Sequence, residues 1–295
     1  MSFRINARKI AATAALLLLA AGGALAARRA GPAGVPTLAP PLAPSVERLA
    51  GGTVLWVGAH PDDELFVSPL LGEICARRRT ACTLWVLTRG GAGECRLATG
   101  CRPDLAAIRT REMGRAAALL GADLRLWSLP DGSAAEPGAV VERWEAELGR
   151  RELSRRLAAV LAAVKPRAVI TFDPRHGSTC HADHRAAGEL IRRHLAGMTD
   201  APDLYYVETR LAGNPASGAF HFAPAVAVDP DRYVFDARAT WSFLLGDAGA
   251  HASQFDAPRR RGLEGMPAAE RRVTLLPNPD AQVGTDERYE HLCGD

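Results

Sequence analysis

Five short apolar runs, each followed by a helix-compatible stretch, constrain this chain more than any other feature. They are Val54–Gly58, Thr83–Thr88, Leu124–Leu129, Ala168–Phe172 and Leu204–Glu208. Runs of this length without polar alternation are buried on both faces, as in a parallel sheet. The intervening segments predict a helix from Pro61 towards Arg78 and one over Leu105–Leu120, with Gly121 as its stop. A long amphipathic helix is expected across Val140–Val164, and another begins near Ala182.

Strands alternating with helices imply right-handed crossovers and helices on both faces of the sheet. The expected fold class is therefore α/β, a Rossmann-like three-layer α/β/α with a mostly parallel sheet. After Phe220 the pattern loosens into a small C-terminal β-containing extension with one helix near Arg238–Gln254. Ligands in such folds bind beyond the carboxyl ends of the strands.

The N-terminus reads differently. Arg4, Arg8 and Lys9 precede an apolar run from Ile10 to Leu19, and Ala24-Leu25-Ala26 follows as an A-x-A cleavage pattern. Residues 1–26 are expected to be a signal peptide and the protein exported; the alternative is membrane anchoring by an uncleaved segment. Residues 27–50, with five prolines between Arg28 and Pro44, are expected to be a tether, and residues 51–295 a single domain. Removing residues 1–26 takes away three cations and no carboxylate, so the remaining basic side chains balance the 33 acidic ones. Net charge forecasts no nucleic-acid partner. Six cysteines in an exported chain permit disulfides. Cys95 with Cys101 is the best pair and Cys75 with Cys82 the next, leaving Cys180 with Cys293 or both free.

Two polar clusters sit where the fold would place a site. Ala59-His60-Pro61-Asp62-Asp63-Glu64 follows the first strand, and Asp173 to Arg185, with His176, His181 and His184, follows the fourth. His60 and Asp63, and likewise His181 and His184, are three apart and can share one helical face. Two imidazoles and a carboxylate suit a divalent transition metal, and three protein ligands leave a position open for chemistry. Taken singly, the acidic run could instead serve the helix dipole, and the histidines could sit on a solvated loop.

AHPDDE after the first strand and H-x-D-H after the fourth resemble the PIG-L/LmbE family of zinc-dependent de-N-acetylases. Arg109-Thr110-Arg111-Glu112, Leu129-Pro130-Asp131-Gly132 and Ala250-His251-Ala252-Ser253-Gln254 are similar to further family segments in the expected order. The resemblance implies Zn2+ held by His60, Asp63 and His184, with Asp62 as general base. His181 would steady the tetrahedral intermediate or protonate the amine. Arg109, Asp131 and His251 become candidates for substrate contact. The implied reaction removes an acetyl group from an N-acetylglucosamine-type small molecule or glycan. Ala182 and Cys180 depart from the family's usual proline and glycine.

Other readings stay open at this point: a zinc amidase for a non-sugar amide, or a non-catalytic carbohydrate-binding relative. A non-haem iron triad uses similar ligands, but its usual setting is an antiparallel barrel. A dinucleotide site lacks G-x-G-x-x-G after the first strand, and adjacent aspartates are too close for a glycosidase pair.

Overall fold

The computed structural model describes residues 46–132, 136–175, 177–207, 211–212, 221–222 and 233–277. The expected signal peptide, most of the tether, His176 and Cys293 lie outside the described residues. The last five tether residues are helical: α1, Val46–Ala50, buries Leu49.

The chain then runs β1 (Val54–Gly58), a 3-10 turn (Asp63–Phe66), α2 (Ser68–Leu71), a π turn (Gly72–Arg77) and β2 (Cys82–Thr88). Next come α3 (Leu105–Leu120), β3 (Asp123–Leu129), α4 (Pro137–Leu148), α5 (Arg150–Val164), β4 (Ala168–Phe172), α6 (Ala182–Ala196) and β5 (Asp203–Val207). A two-stranded pair, β6 (Leu211–Ala212) and β7 (His221–Phe222), precedes β8 (Tyr233–Asp236). The chain continues through α7 (Trp241–Ala250) and α8 (Ala257–Glu264) to β9 (Arg272–Pro277).

The main sheet has the order β3-β2-β1-β4-β5-β9-β8. Its first five strands are parallel, and β9 and β8 add antiparallel pairs at the far edge. The expected three-layer α/β fold is what forms. Every residue of β1, β2 and β4 is buried, as central strands covered on both faces must be. Successive side chains feed opposite layers: Val54 and Trp56 pack with α2 and α3, while Leu55 and Val57 pack with α4, α5 and α6. A third cluster around Trp241, Leu244 and Leu263 joins α7 to α8.

Three expectations need correction. The single helix over Val140–Val164 is two helices, broken at Gly149, whose φ of 83° no helix interior accommodates. The helix expected from Pro61 to Arg78 is a chain of short turns, because Asp62 sits at φ 99° and prevents a regular first turn. The extension carries the expected β segment, and also a second helix, α8, which was not anticipated.

Both leading cysteine pairs are disulfides, Cys95–Cys101 and Cys75–Cys82. Cys180 is also disulfide-bonded. No helix among the described residues is long and apolar enough to cross a membrane.

Candidate active site

The strand order reverses between β1 and β4: β1 leads on to β2 on one side and β4 to β5 on the other. Such a switch point leaves a crevice at the carboxyl ends of the two strands. Here both polar clusters enter it, the first from the turn after β1 and the second from the start of α6. A cavity of about 320 Å³ is lined by His60, Asp62, Asp63, His181 and His184. Arg109 and Asp131 share that lining, and Leu244, Phe255 and Leu263 add an apolar wall.

Asp63 is the centre of the polar group. Its Oδ2 accepts from the backbone N–H of Ala59 (2.7 Å) and His60 (2.8 Å), and its Oδ1 lies 3.0 Å from His184 Nε2. Burial would raise its pKa, but the neighbouring His184 and His60 hold the carboxyl well below its usual range. His60 spans two carboxylates, with Nε2 3.0 Å from Asp183 Oδ2 and Nδ1 3.8 Å from Asp63 Oδ1. Burial opposes its charge, yet hydrogen bonds to Asp183 and Asp63 prevail and push it up to about 10.

The hydrogen bonds of His184 show what this cluster asks for. Its Nδ1 donates to the Gly177 carbonyl at 2.9 Å, and a carbonyl only accepts. Its Nε2 faces Asp63 Oδ1 at 3.0 Å, so a proton or a metal cation lies between them, and His60, His181 and His184 offer nitrogens within 4.8 Å of one another beside it. Imidazole nitrogens with one carboxylate are a zinc-type donor set, and the carbonyl behind His184 is the outer support such ligands use.

His181 and Asp62 complete the polar lining. His181 caps α6, its Nδ1 accepting from Asp183 N at 3.2 Å. The proton of its neutral ring is thereby assigned to Nε2. Burial of part of the ring, then the charges of His184 and His60, push its pKa down to about 4, so it is neutral at pH 7. Asp62 stands in left-handed backbone and accepts from Arg109 Nη2 at 2.7 Å. Burial raises its pKa and the Arg109 guanidinium opposes the rise.

The candidate substrate contacts divide. Asp131 lines the cavity while accepting from Ala92 N at 3.2 Å. Arg109 reaches the cavity but spends its guanidinium on Gly90 O, Pro61 O and Asp62. His251 does not line the cavity; it is fully buried against Glu64. Asp183, to which sequence reasoning gave no role, is a partner of His60. The apolar wall from α7 and α8 was not anticipated either, because nothing local marks it.

Residues 55–195 match the family described as PIG-L: GlcNAc-PI de-N-acetylase. Over that segment the chain is similar to the PIG-L family. It is 32% identical over 182 residues to a 1D-myo-inositol 2-acetamido-2-deoxy-alpha-D-glucopyranoside deacetylase 2 of Frankia casuarinae, covering 57% of this chain and 56% of that protein. A deacetylase of the same description from Thermobifida fusca is 26% identical, with 79% of this chain and 96% of that one covered. The chain spans about half the length of the Frankia protein and of a further relative from Kineococcus radiotolerans. Among solved structures, an N,N'-diacetylchitobiose deacetylase from Pyrococcus horikoshii superposes with a TM-score of 0.52 at 19% identity, covering 76% of this chain and 80% of that chain. A 4-carboxy-2-hydroxymuconate hydratase from Pseudomonas putida gives 0.53 at 17% identity, covering 77% and 95%. These likenesses establish the PIG-L-type α/β fold. A hydratase among them means that the fold alone does not choose the reaction.

Proposed function

We propose that this protein is an exported zinc-dependent hydrolase that removes the acetyl group from an N-acetylglucosamine-type sugar or glycoconjugate. The observation that carries the reading is the convergence of His60, Asp63 and His184, with His184 Nε2 3.0 Å from Asp63 Oδ1, and Asp62 on the same cavity wall. The family and the inositol-linked acetamido-sugar deacetylases among its relatives supply the substrate class.

In this reading His60, Asp63 and His184 hold zinc, whose Lewis acidity supplies a nucleophile at neutral pH and polarises the amide carbonyl. Asp62 receives the proton of the attacking water, Arg109 holding its carboxylate through Oδ1. His181, neutral and protonated on Nε2, donates a hydrogen bond to the developing oxyanion. The amine then leaves with a proton returned from Asp62. Asp131 faces the sugar hydroxyls.

Export is supported by the basic, apolar and A-x-A order of residues 4–26 and by disulfides, which belong to oxidising compartments. The mature chain then begins at Ala27, which intact mass spectrometry checks.

The deciding experiment measures acetate release by the zinc-loaded protein from N-acetylglucosaminides with inositol, oligosaccharide and simple alkyl aglycones. Asp62→Asn keeps the shape and the ligands, and is expected to retain zinc while kcat falls on the order of 10²–10⁴-fold. Wild-type protein that carries zinc but releases acetate from none of these substrates overturns the reading.

A further inference from the structure

Asp62 holds an uncomfortable position for a non-glycine residue, and two part-buried contacts secure it. Its φ of 99° lies in the left-handed region, which persists only where surrounding structure imposes it. Its backbone N–H donates to Glu64 Oε2 at 3.2 Å, and its Oδ1 accepts from Arg109. Glu64 is itself tied to a short segment at the end of α7, and the same segment is bonded to the helix that carries Arg109.

The first tie is His251, whose Nε2 lies 2.5 Å from Glu64 Oε1, both side chains being fully buried. The second is Ser253, whose N–H and Oγ–H donate to the two oxygens of Glu112 at 2.8 and 2.5 Å. Glu112 lies one turn beyond Arg109 on α3. The segment His251-Ala252-Ser253 thus bonds Glu64, from a position 187 residues away, and also Glu112 on the helix that carries Arg109. Neither His251 nor Ser253 lines the cavity. A buried ion pair adds little net stability over a well-packed apolar pair, because desolvation offsets its attraction. What such a pair supplies here is geometry.

We infer that His251 is a positioning residue for hydrolysis: through Glu64 it fixes the backbone turn that presents Asp62. This rests on the proposed role of Asp62 as base. His251 touches neither substrate nor metal ligands, so its loss acts on kcat through the placement of the Asp62 carboxylate.

The test compares His251→Leu, which cannot bond Glu64, with His251→Gln, whose amide can donate to it. With zinc retained, His251→Leu is expected to lower kcat on the order of 10–100-fold with little change in KM, since displacement of a reacting group by about 1 Å has that effect. His251→Gln is expected to restore most of the rate. In the Asp62→Asn background His251→Leu should bring no further loss, because both changes act on one group. An unchanged kcat in folded His251→Leu, or a full additional loss in the double variant, overturns the inference. If Asp62→Asn itself keeps the wild-type kcat, the base assignment fails and this inference with it.

A crystal structure of His251→Leu gives a readout independent of any substrate. The Asp62 turn is expected to leave the left-handed region or lose order, and an unaltered turn refutes the positioning role. Should the leucine variant not fold, Glu64→Gln, which keeps the shape and removes the charge, carries the same comparisons.

Discussion

Gly188 offers a test in which two physical effects have opposite signs. It lies in the interior of α6, one turn after His184. Helix propensity alone predicts that Gly188→Ala stabilises the protein by about 0.8–1 kcal/mol. The packing predicts the reverse. A Cβ at this position would lie 2.1 Å from the carbonyl oxygen of Phe172 and 3.0 Å from its carbonyl carbon, both backbone atoms at the end of β4. Real Cβ contacts essentially never fall under 3.0 Å, so the helix must retreat from the strand by roughly 0.9 Å. Overpacking of this kind costs about 1–3 kcal/mol, and a rigid backbone carbonyl as the obstacle puts this case at about 2–3, which leaves a net loss of roughly 1–2 kcal/mol after the propensity gain. For a domain of this size that lowers Tm by roughly 2–8 °C. The same retreat carries His181 and His184 away from Asp63, so kcat/KM should fall on the order of 10²-fold and zinc should bind more weakly. Gly114 on the exposed face of α3 is the control, with nothing within 4 Å of its added Cβ. Gly114→Ala should raise Tm and leave zinc binding and kinetics alone. Thermal unfolding, metal analysis and acetate release on the two variants decide the matter. A Gly188→Ala protein as stable and active as wild type would show that α6 does not set the site's geometry through this contact.

Two further outcomes follow from the buried charges. His184→Ala removes the proposed ligand held by Gly177, and should lose zinc along with the rise in Tm that zinc gives wild type, read by metal analysis and calorimetry with and without a chelator. Asp247 is fully buried beside Glu64 and His251, and burial followed by the Glu64 charge raises its pKa well above the usual range. Its favourable neutral form is fully present below the unfolded value of about 3.9 and is lost as pH rises through the higher folded value, so wild-type stability should decline across that window. Asp247→Asn should flatten the decline; an unchanged slope of denaturation midpoint against pH would rule out Asp247 as its source.

How much of this was legible depended on whether the relevant partners were neighbours in sequence. β1, β2 and β4 are continuous apolar runs because both their faces are covered, so the strands and the parallel core could be read directly. β9 pairs antiparallel with β5 and β8, and its partial burial alternates over too few residues to stand out. The break at Gly149 was hidden because the apolar periodicity resumes on the other side, and a glycine in such a pattern is not by itself a stop. His60, Asp62, Asp63, His181 and His184 were recoverable for a different reason: each follows the end of a central strand, and the switch point brings two strand ends together. Their supports were not recoverable. The sequence shows an arginine at 109 and a histidine at 251, both of the right type to touch a substrate, and contains nothing that says where either side chain ends. The fold sends Arg109 to the Asp62 turn and His251 to Glu64. Asp183 makes the same point from within a motif. An acidic residue in a first helical turn is already accounted for by the helix dipole, so its type demanded no further explanation. Only the juxtaposition of α6 with the turn after β1 puts its Oδ2 3.0 Å from His60 Nε2, turning a helix-start residue into a support of the metal-ligand candidate.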